Sequence, residues 1–279
     1  MTIKGRILSG AGIAGAIALA VPALANHSWG SYHWERTGDE ITIPVKDHTT
    51  GQWPGRIATA VRDWNQSTRI QSPLSADRSG DSACNLTLNE IHVCNDDYGS
   101  TGWLGIASIS ATRGKTTHII AGSTKLNDYY FNQPQYSGES WAQLVACQEI
   151  GHDFGLGHQD ENFNTDLTMS CMDYTSAPAG NEHPDDHDYA MLEDIYAHSD
   201  SGDGTSGPGP GRGGGPKKNL GTPGNGPSQW GQAIGFDASG RPNLYVRAMA
   251  GYDIITHVTW AIGEGPESPF GKSVDFHNH

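Results

Sequence analysis

The chain has 279 residues, 35% of them apolar, with 31 acidic against 17 basic residues and a formal net charge of -14. Such a length holds one large domain or two small ones. The acidic balance argues against a nucleic-acid partner, because phosphate backbones are held by clustered lysine and arginine.

Residues 1–25 open with Lys4 and Arg6, run through the apolar ILSGAGIAGAIALAV and end at Pro22 and Ala23-Leu24-Ala25. A basic start, an apolar stretch and a small-x-small end are the pattern of a secretory signal peptide. The Gly-rich run, broken by Pro22, is barely long enough to span a bilayer. The expectation is a secreted protein with no membrane contact once the signal is removed, and more acidic still by the two basic residues lost.

Export makes disulfides the default for four cysteines. Three pairings are open; we expect Cys84 with Cys94, closing a short polar loop, and Cys147 with Cys171. Each bridge stabilises a fold by roughly 2–4 kcal/mol, largely through the unfolded chain.

From residue 27 the elements can be taken in order. ITIPV (41–45) predicts a strand, and PGRIATAVRDWNQS a helix, with Pro54 in the first turn and Ile57, Val61 and Trp64 at helical spacing. LTLNEIHVC, GWLGIASIS and THIIAGSTKLN predict three further strands. A second helix starts near Ser137 or Ser140 and runs through WAQLVACQEIGHDF. A third follows Pro184 through Tyr189, Leu192 and Ile195. Strands cluster before the long helix, which predicts an α+β domain with a twisted sheet over residues 27–198.

On the second helix, Trp141, Leu144 and Val145 define a stripe that Gln148 and His152 continue. The i, i+4 spacing of Gln148 and His152 places two side chains where one metal ion could meet both, with Glu149 at the flank to activate its water. Gly155 can take the left-handed conformation that ends the helix and turns the chain back, and His158 follows three residues later.

With histidine at position 148 this run would read H-E-x-x-H-x-x-G-x-x-H, the signature of the metzincin zinc endopeptidases. Glu149, His152, Gly155 and His158 keep four of its five fixed positions, and HDFGLGH resembles the matrixin branch. SCMDY (170–174) resembles the family's Met-turn, with Met172 under the site. The resemblance implies zinc held by His152, His158 and, in place of histidine, Gln148. It implies Glu149 as general base, Tyr174 as a further ligand or transition-state donor, and a peptide or protein substrate lying extended beside the 102–110 strand.

An amide oxygen is a poor zinc ligand. The expected function is therefore a secreted zinc endopeptidase weakened or inactivated at Gln148. The other function these residues allow is a metal-free pseudoprotease that binds peptides without cleaving them.

Acids gather in NDDYG (95–99), HQDEN (158–162) and HPDDHD (183–188), where calcium is a second candidate cation, although the EF-hand spacing is absent. His183 and His187 are also i, i+4, with no third ligand in view. Residues 199–228, SDSGDGTSGPGPGRGGGPKKNLGTPGNGPS, predict a Gly/Pro-rich linker. Residues 229–279 then carry alternating apolar positions around the turn signals DASGRPN and AGYD, predicting a small β module of two or three strands. So few strands are marginal alone, so the module either packs back on the main domain or serves a separate binding role.

Overall fold

The computed structural model describes residues 27–114, 117–161, 169–200 and 218–269. The expected signal peptide lies outside these residues, as does the middle of the expected linker. The described chain is mixed α/β, with one large mixed sheet and few helices, which is compatible with α+β.

The first part carries β1 (Tyr32–Trp34), β2 (Ile41–Thr42), β3 (Val45–Asp47), α1 (Trp53–Trp64), β4 (Ile70–Gln71), β5 (Leu74–Ala76), β6 (Leu86–Thr87) and β7 (Ile91–Asp96). The long strands β8 (Trp103–Thr112) and β9 (Thr117–Asn127) follow, then α2 (Asp128–Phe131), α3 (Glu139–Asp153) and α4 (Asp186–Ile195). The C-terminal part adds β10 (Asn219–Gly221), α5 (Pro227–Trp230), β11 (Gln232–Phe236), β12 (Pro242–Ala248) and β13 (Tyr252–Trp260). The three predicted helices are present as α1, α3 and α4, whereas the short α2 and α5 were not predicted. Pro54 lies in the first turn of α1, and Asp185 caps α4 through a capping box with Asp188.

The main sheet has nine strands in the order β11-β12-β13-β8-β9-β7-β3-β5, with β1 paired to the start of β9. It has two halves of different character. β3, β5, β7 and β9 are parallel, whereas β9, β8, β13, β12 and β11 alternate in direction.

Of the two alternatives for the C-terminal module, the strands pack back on the main domain. β13 pairs with β8 along its length, from Tyr252 opposite Thr112 to Trp260 opposite Trp103. The C-terminal strands thus extend the sheet of the main domain. The reason is burial: every residue from Ile254 to Trp260 is buried, as in a central strand covered on both faces. The expected linker also ends earlier than its composition implied. Asp200 is buried, β10 pairs with β6 and buries Leu220, and Trp230 at the end of α5 is 1% exposed.

One face of the sheet carries the main core. There α1 and α3 pack together, with Trp64 Nε1 donating to the Cys147 carbonyl at 3.0 Å and Trp34 Nε1 to the Asp153 carbonyl at 2.8 Å. α3 is buried on all sides from Leu144 to Asp153, so its inward face is wider than the stripe predicted from Trp141. The other face has a smaller core in which Trp103, Ile106, Val258 and Trp260 pack with Trp230 and Tyr245. Both expected disulfides are present, Cys84–Cys94 and Cys147–Cys171.

Deleting everything after Asp200 would strip β13 from β8 and open both cores to water. Such a truncated chain is expected to lose its cooperative thermal transition, which circular dichroism against the full chain checks. A sharp transition in the truncated chain would show instead that residues 27–200 form an independent fold.

Candidate metal centre

The helix α3 brings Gln148, Glu149 and His152 to the centre of the molecule, but it does not bring Gln148 to the metal position. The Gln148 amide donates to the carbonyls of Cys171 and Asp173 at 3.0 and 3.1 Å, and its oxygen accepts the Thr259 hydroxyl at 2.9 Å. Two carbonyls can only accept, so the amide orientation is fixed, and both ends of the side chain are occupied. Gln148 is therefore a buried tie between α3, the Met-containing turn and β13. The structure thus engages Gln148, expected as a ligand, in these three hydrogen bonds.

A different histidine stands beside the other two. His152, His158 and His257 each offer one ring nitrogen, and these atoms lie within 4.8 Å of one another. The ring centroids are 4.8 Å apart for His152 and His158, 4.1 Å for His152 and His257, and 4.6 Å for His158 and His257.

The two motif histidines are oriented from behind. His152 Nδ1 lies 2.7 Å from the Leu156 carbonyl, which can only accept, so Nδ1 carries the proton and Nε2 presents its lone pair inward. His158 Nδ1 faces a Glu161 carboxylate oxygen at 3.3 Å. The Nε2 atoms of His152 and His158 and both ring nitrogens of His257 are buried without a hydrogen-bond partner. Leaving such a group unmet costs roughly 1–3 kcal/mol each. Three of them aimed at one point is the arrangement a cation satisfies. Burial, reinforced by the neighbouring imidazoles, holds His152 and His257 well below the ordinary histidine range, so both are neutral and able to ligate. Three imidazoles suit a borderline transition metal such as zinc.

The position of His257 follows from sheet register. Along β13 the side chains of Ile255, His257 and Thr259 share one face, opposite Ile109, Ala107 and Gly105 of β8. That face lies on α3, so Thr259 meets Gln148 and His257 meets His152, one helical turn on. His158 arrives because Gly155 turns the chain at φ +94°, with the Tyr32 carbonyl so near that a Cβ at this position would stand 2.5 Å from it.

The remaining expected site residues are close by. Met172 packs against Gly151 of α3, where an added Cβ would meet its sulfur at 2.6 Å. The Cys147–Cys171 bridge fastens the same turn to the helix. The Tyr174 ring lies 4.1 Å from that of His158, and its hydroxyl accepts from the Asn243 amide at 3.0 Å. Burial keeps that hydroxyl protonated far beyond neutral pH.

Glu149 is fully buried against Gly105 of β8. Neither carboxylate oxygen has a partner of ordinary hydrogen-bond geometry. Burial raises its pKa from 4.5 to about 8, offset only in part by the nearby Thr259 hydroxyl, which is already spent on Gln148.

Beside the three histidines opens a pocket of about 260 Å³, walled by His27, Ser28, Trp29, Gly157, Glu161, Gly235, Phe236, Asn243 and Leu244 together with the three histidines themselves. Its wall includes neither Gln148 nor Glu149. Since β13 occupies the edge of β8, a peptide cannot add to the 102–110 strand as expected, and the pocket opens on the side of β11 and β12 instead.

The acidic runs do structural work. Asp185 caps α4, and Asp188 accepts the Ser170 hydroxyl and a Gln159 amide proton. Among the described residues none of the three runs supplies a cluster of three ligand atoms, which leaves calcium without support. His183 bonds Asp63 while His187 packs on His27, so that pair is divided. Sequence reasoning missed His257, Asn243 and the N-terminal pocket wall. The available signal was a histidine inside IITHVTW, a segment apolar on both faces.

Compared with known proteins, the chain matches no protein-family model and no curated protein sequence.

Two outcomes follow from this geometry. Between pH about 4.5 and about 8 the folded chain keeps a proton on Glu149 that the unfolded chain releases. This group's contribution to stability therefore falls as pH rises through that window. In metal-free protein, Glu149→Gln should gain on the wild type between pH 4.5 and 8 by a few kcal/mol, on the order of 1.4 per pH unit. Denaturant unfolding at both pH values measures it, and an unchanged difference would contradict the assignment. Gly155→Ala forces a side chain into the left-handed region and onto a carbonyl, and should cost more than about 1 kcal/mol in thermal unfolding.

Proposed function

We propose that this chain is a secreted metal-dependent hydrolase of peptide bonds, related to the metzincin endopeptidases, whose ion is held by His152, His158 and His257. The observation that carries the reading is the convergence, beside an open pocket, of three imidazoles whose inward nitrogens have no hydrogen-bond partner. Zinc on three protein ligands keeps a position open for water, lowers that water's pKa toward about 7 and polarises a carbonyl.

The chain's own groups supply the rest. The Leu156 carbonyl and Glu161 fix the tautomers of His152 and His158, as partners behind metal-bound histidines commonly do. Glu149 is the residue to take the proton released from water and pass it to the leaving amine. Burial alone keeps Glu149 protonated at neutral pH, so it can act as a base only once a cation beside it favours the carboxylate. Tyr174, kept protonated and steadied by Asn243, is a donor for charge developing on the carbonyl oxygen. At about 260 Å³ the pocket is smaller than the ~300–1,000 Å³ typical of sites that engulf a ligand, so it recognises a short part of a longer substrate.

The test separates ligands from bystanders. Elemental analysis and cleavage of an unfolded protein substrate are measured for the wild type, His257→Ala, Gln148→Ala, Gln148→His and Glu149→Gln. We expect His257→Ala to lose metal affinity at this centre by at least 10- to 100-fold and to lose cleavage with it. Gln148→Ala should keep its metal and lose only stability. Gln148→His should gain no metal, because it breaks three hydrogen bonds without facing the ion. Glu149→Gln should keep metal and lose cleavage by about 100-fold or more. Full metal in His257→Ala overturns the ligand set. Wild type that holds no metal at this centre and binds the substrate without cutting it leaves the metal-free, peptide-binding pseudoprotease as the function.

A further inference from the structure

We propose a second metal site, remote in role from the first, formed by His33, His118 and Asp200 with His198 as fourth ligand. The three buried residues offer donor atoms within 4.8 Å of one another, and all three are buried (7%, 3% and 6% exposed). One carboxylate oxygen, Asp200 Oδ1, lies at the centre of the group. It is 3.6 Å from His33 Nε2, 3.4 Å from His118 Nε2 and 3.2 Å from His198 Nε2. His33 Nε2 and His198 Nε2 are themselves 3.1 Å apart.

These separations are those of ligands around a single ion. Bonds of 2.0–2.1 Å in a tetrahedron put neighbouring ligand atoms about 3.3 Å apart, and the four contacts here scatter about that value. His33 Nδ1 lies 2.8 Å from the Ser31 carbonyl, which can only accept, so Nδ1 carries a proton and Nε2 is the atom that faces both Asp200 and His198. His118 Nε2 is buried with no hydrogen-bond partner. A cation makes every one of these contacts attractive.

The carboxylate is also prepared to bind through one oxygen. Its other oxygen, Oδ2, accepts the Arg36 backbone N–H at 2.7 Å. The Arg36 side chain meanwhile holds the carbonyls of His198 and Ala197, which fixes the segment carrying His198 and Asp200. Three imidazoles and one carboxylate complete a four-coordinate shell. Zinc sites with four protein ligands are structural, whereas those that react with substrate keep a position open. The ion would fasten β1, the start of β9 and the segment after α4 at one point.

The experiment uses the full chain, stripped with a chelator and back-titrated with zinc, with bound metal counted after gel filtration. The wild type should hold two equivalents, His257→Ala one, His118→Ala one, and the double variant none. Zinc should raise the unfolding temperature of His257→Ala and leave that of the double variant unchanged. Because the second equivalent is counted in the His257→Ala background, it is read independently of the first centre. A His257→Ala chain that binds no zinc, or a His118→Ala chain that still binds two equivalents, overturns the proposal. Should His118→Ala fail to fold, His198→Ala serves, since that side chain is half exposed. It should weaken one equivalent by at least about 10-fold, and unchanged affinity overturns the proposal equally.

Discussion

The pairing of β13 with β8 is the constraint on which the rest of the molecule depends. Nine aligned residue pairs fix the register. A slip of one residue would turn His257 and Thr259 to the opposite face and expose Ile254 and Val258 to α3 in their place. With the register as it stands, Thr259 satisfies Gln148 and His257 reaches His152. Tertiary pairing between distant parts of the chain thus decides which residues can share an ion. The helical spacing of the motif, taken alone, names the wrong partner.

The pattern of buried polar groups tells the same story. Around α3 the structure keeps Gln148, Glu149, His152 and Asp153 all away from water. Two of these are neutralised by hydrogen bonds or, with Glu149, by holding a proton near neutral pH. Asp153, hydrogen-bonded to Thr124 at 2.9 Å, is pushed well above the ordinary carboxyl range by burial, with Glu149 adding to it. The imidazoles, both Glu149 oxygens and Asp153 Oδ1 keep atoms without a hydrogen-bond partner. A buried polar network left incomplete costs stability, and the three imidazoles are placed where an ion could be held.

Much of the fold was legible in the sequence because its signals are local. Pro54, the apolar spacing of Ile57, Val61 and Trp64, and the β-branched run of THIIAGSTKLN each specify an element without reference to the rest. The Gly155 turn and the neighbourhood of Met172, Tyr174 and His158 were legible for the same reason. What escaped was everything set by pairing over long separations. Gly- and Pro-rich composition marked residues 199–228 as linker, yet Leu220 and Trp230 within and beside that run are core residues. His257 lies in a strand whose period-2 pattern is masked by burial on both faces. No spacing rule connects a helix residue to a strand so far along the chain, and Gln148 looked like a failed ligand because its true partner, Thr259, was equally distant.

The Met-containing turn and α3 are joined covalently by Cys147 and Cys171, and the pocket beside them takes its walls from the first described residues, from the end of α3 and from the C-terminal strands. Its third imidazole, however, is delivered by the last strand of the sheet. In synthesis from the N-terminus His257 follows His152, His158 and both cysteines of that bridge. A nascent chain is consequently without its full coordination shell until nearly all of it has been threaded and folded. The order of residues along the chain thereby makes the group of three imidazoles the last part of this region to assemble.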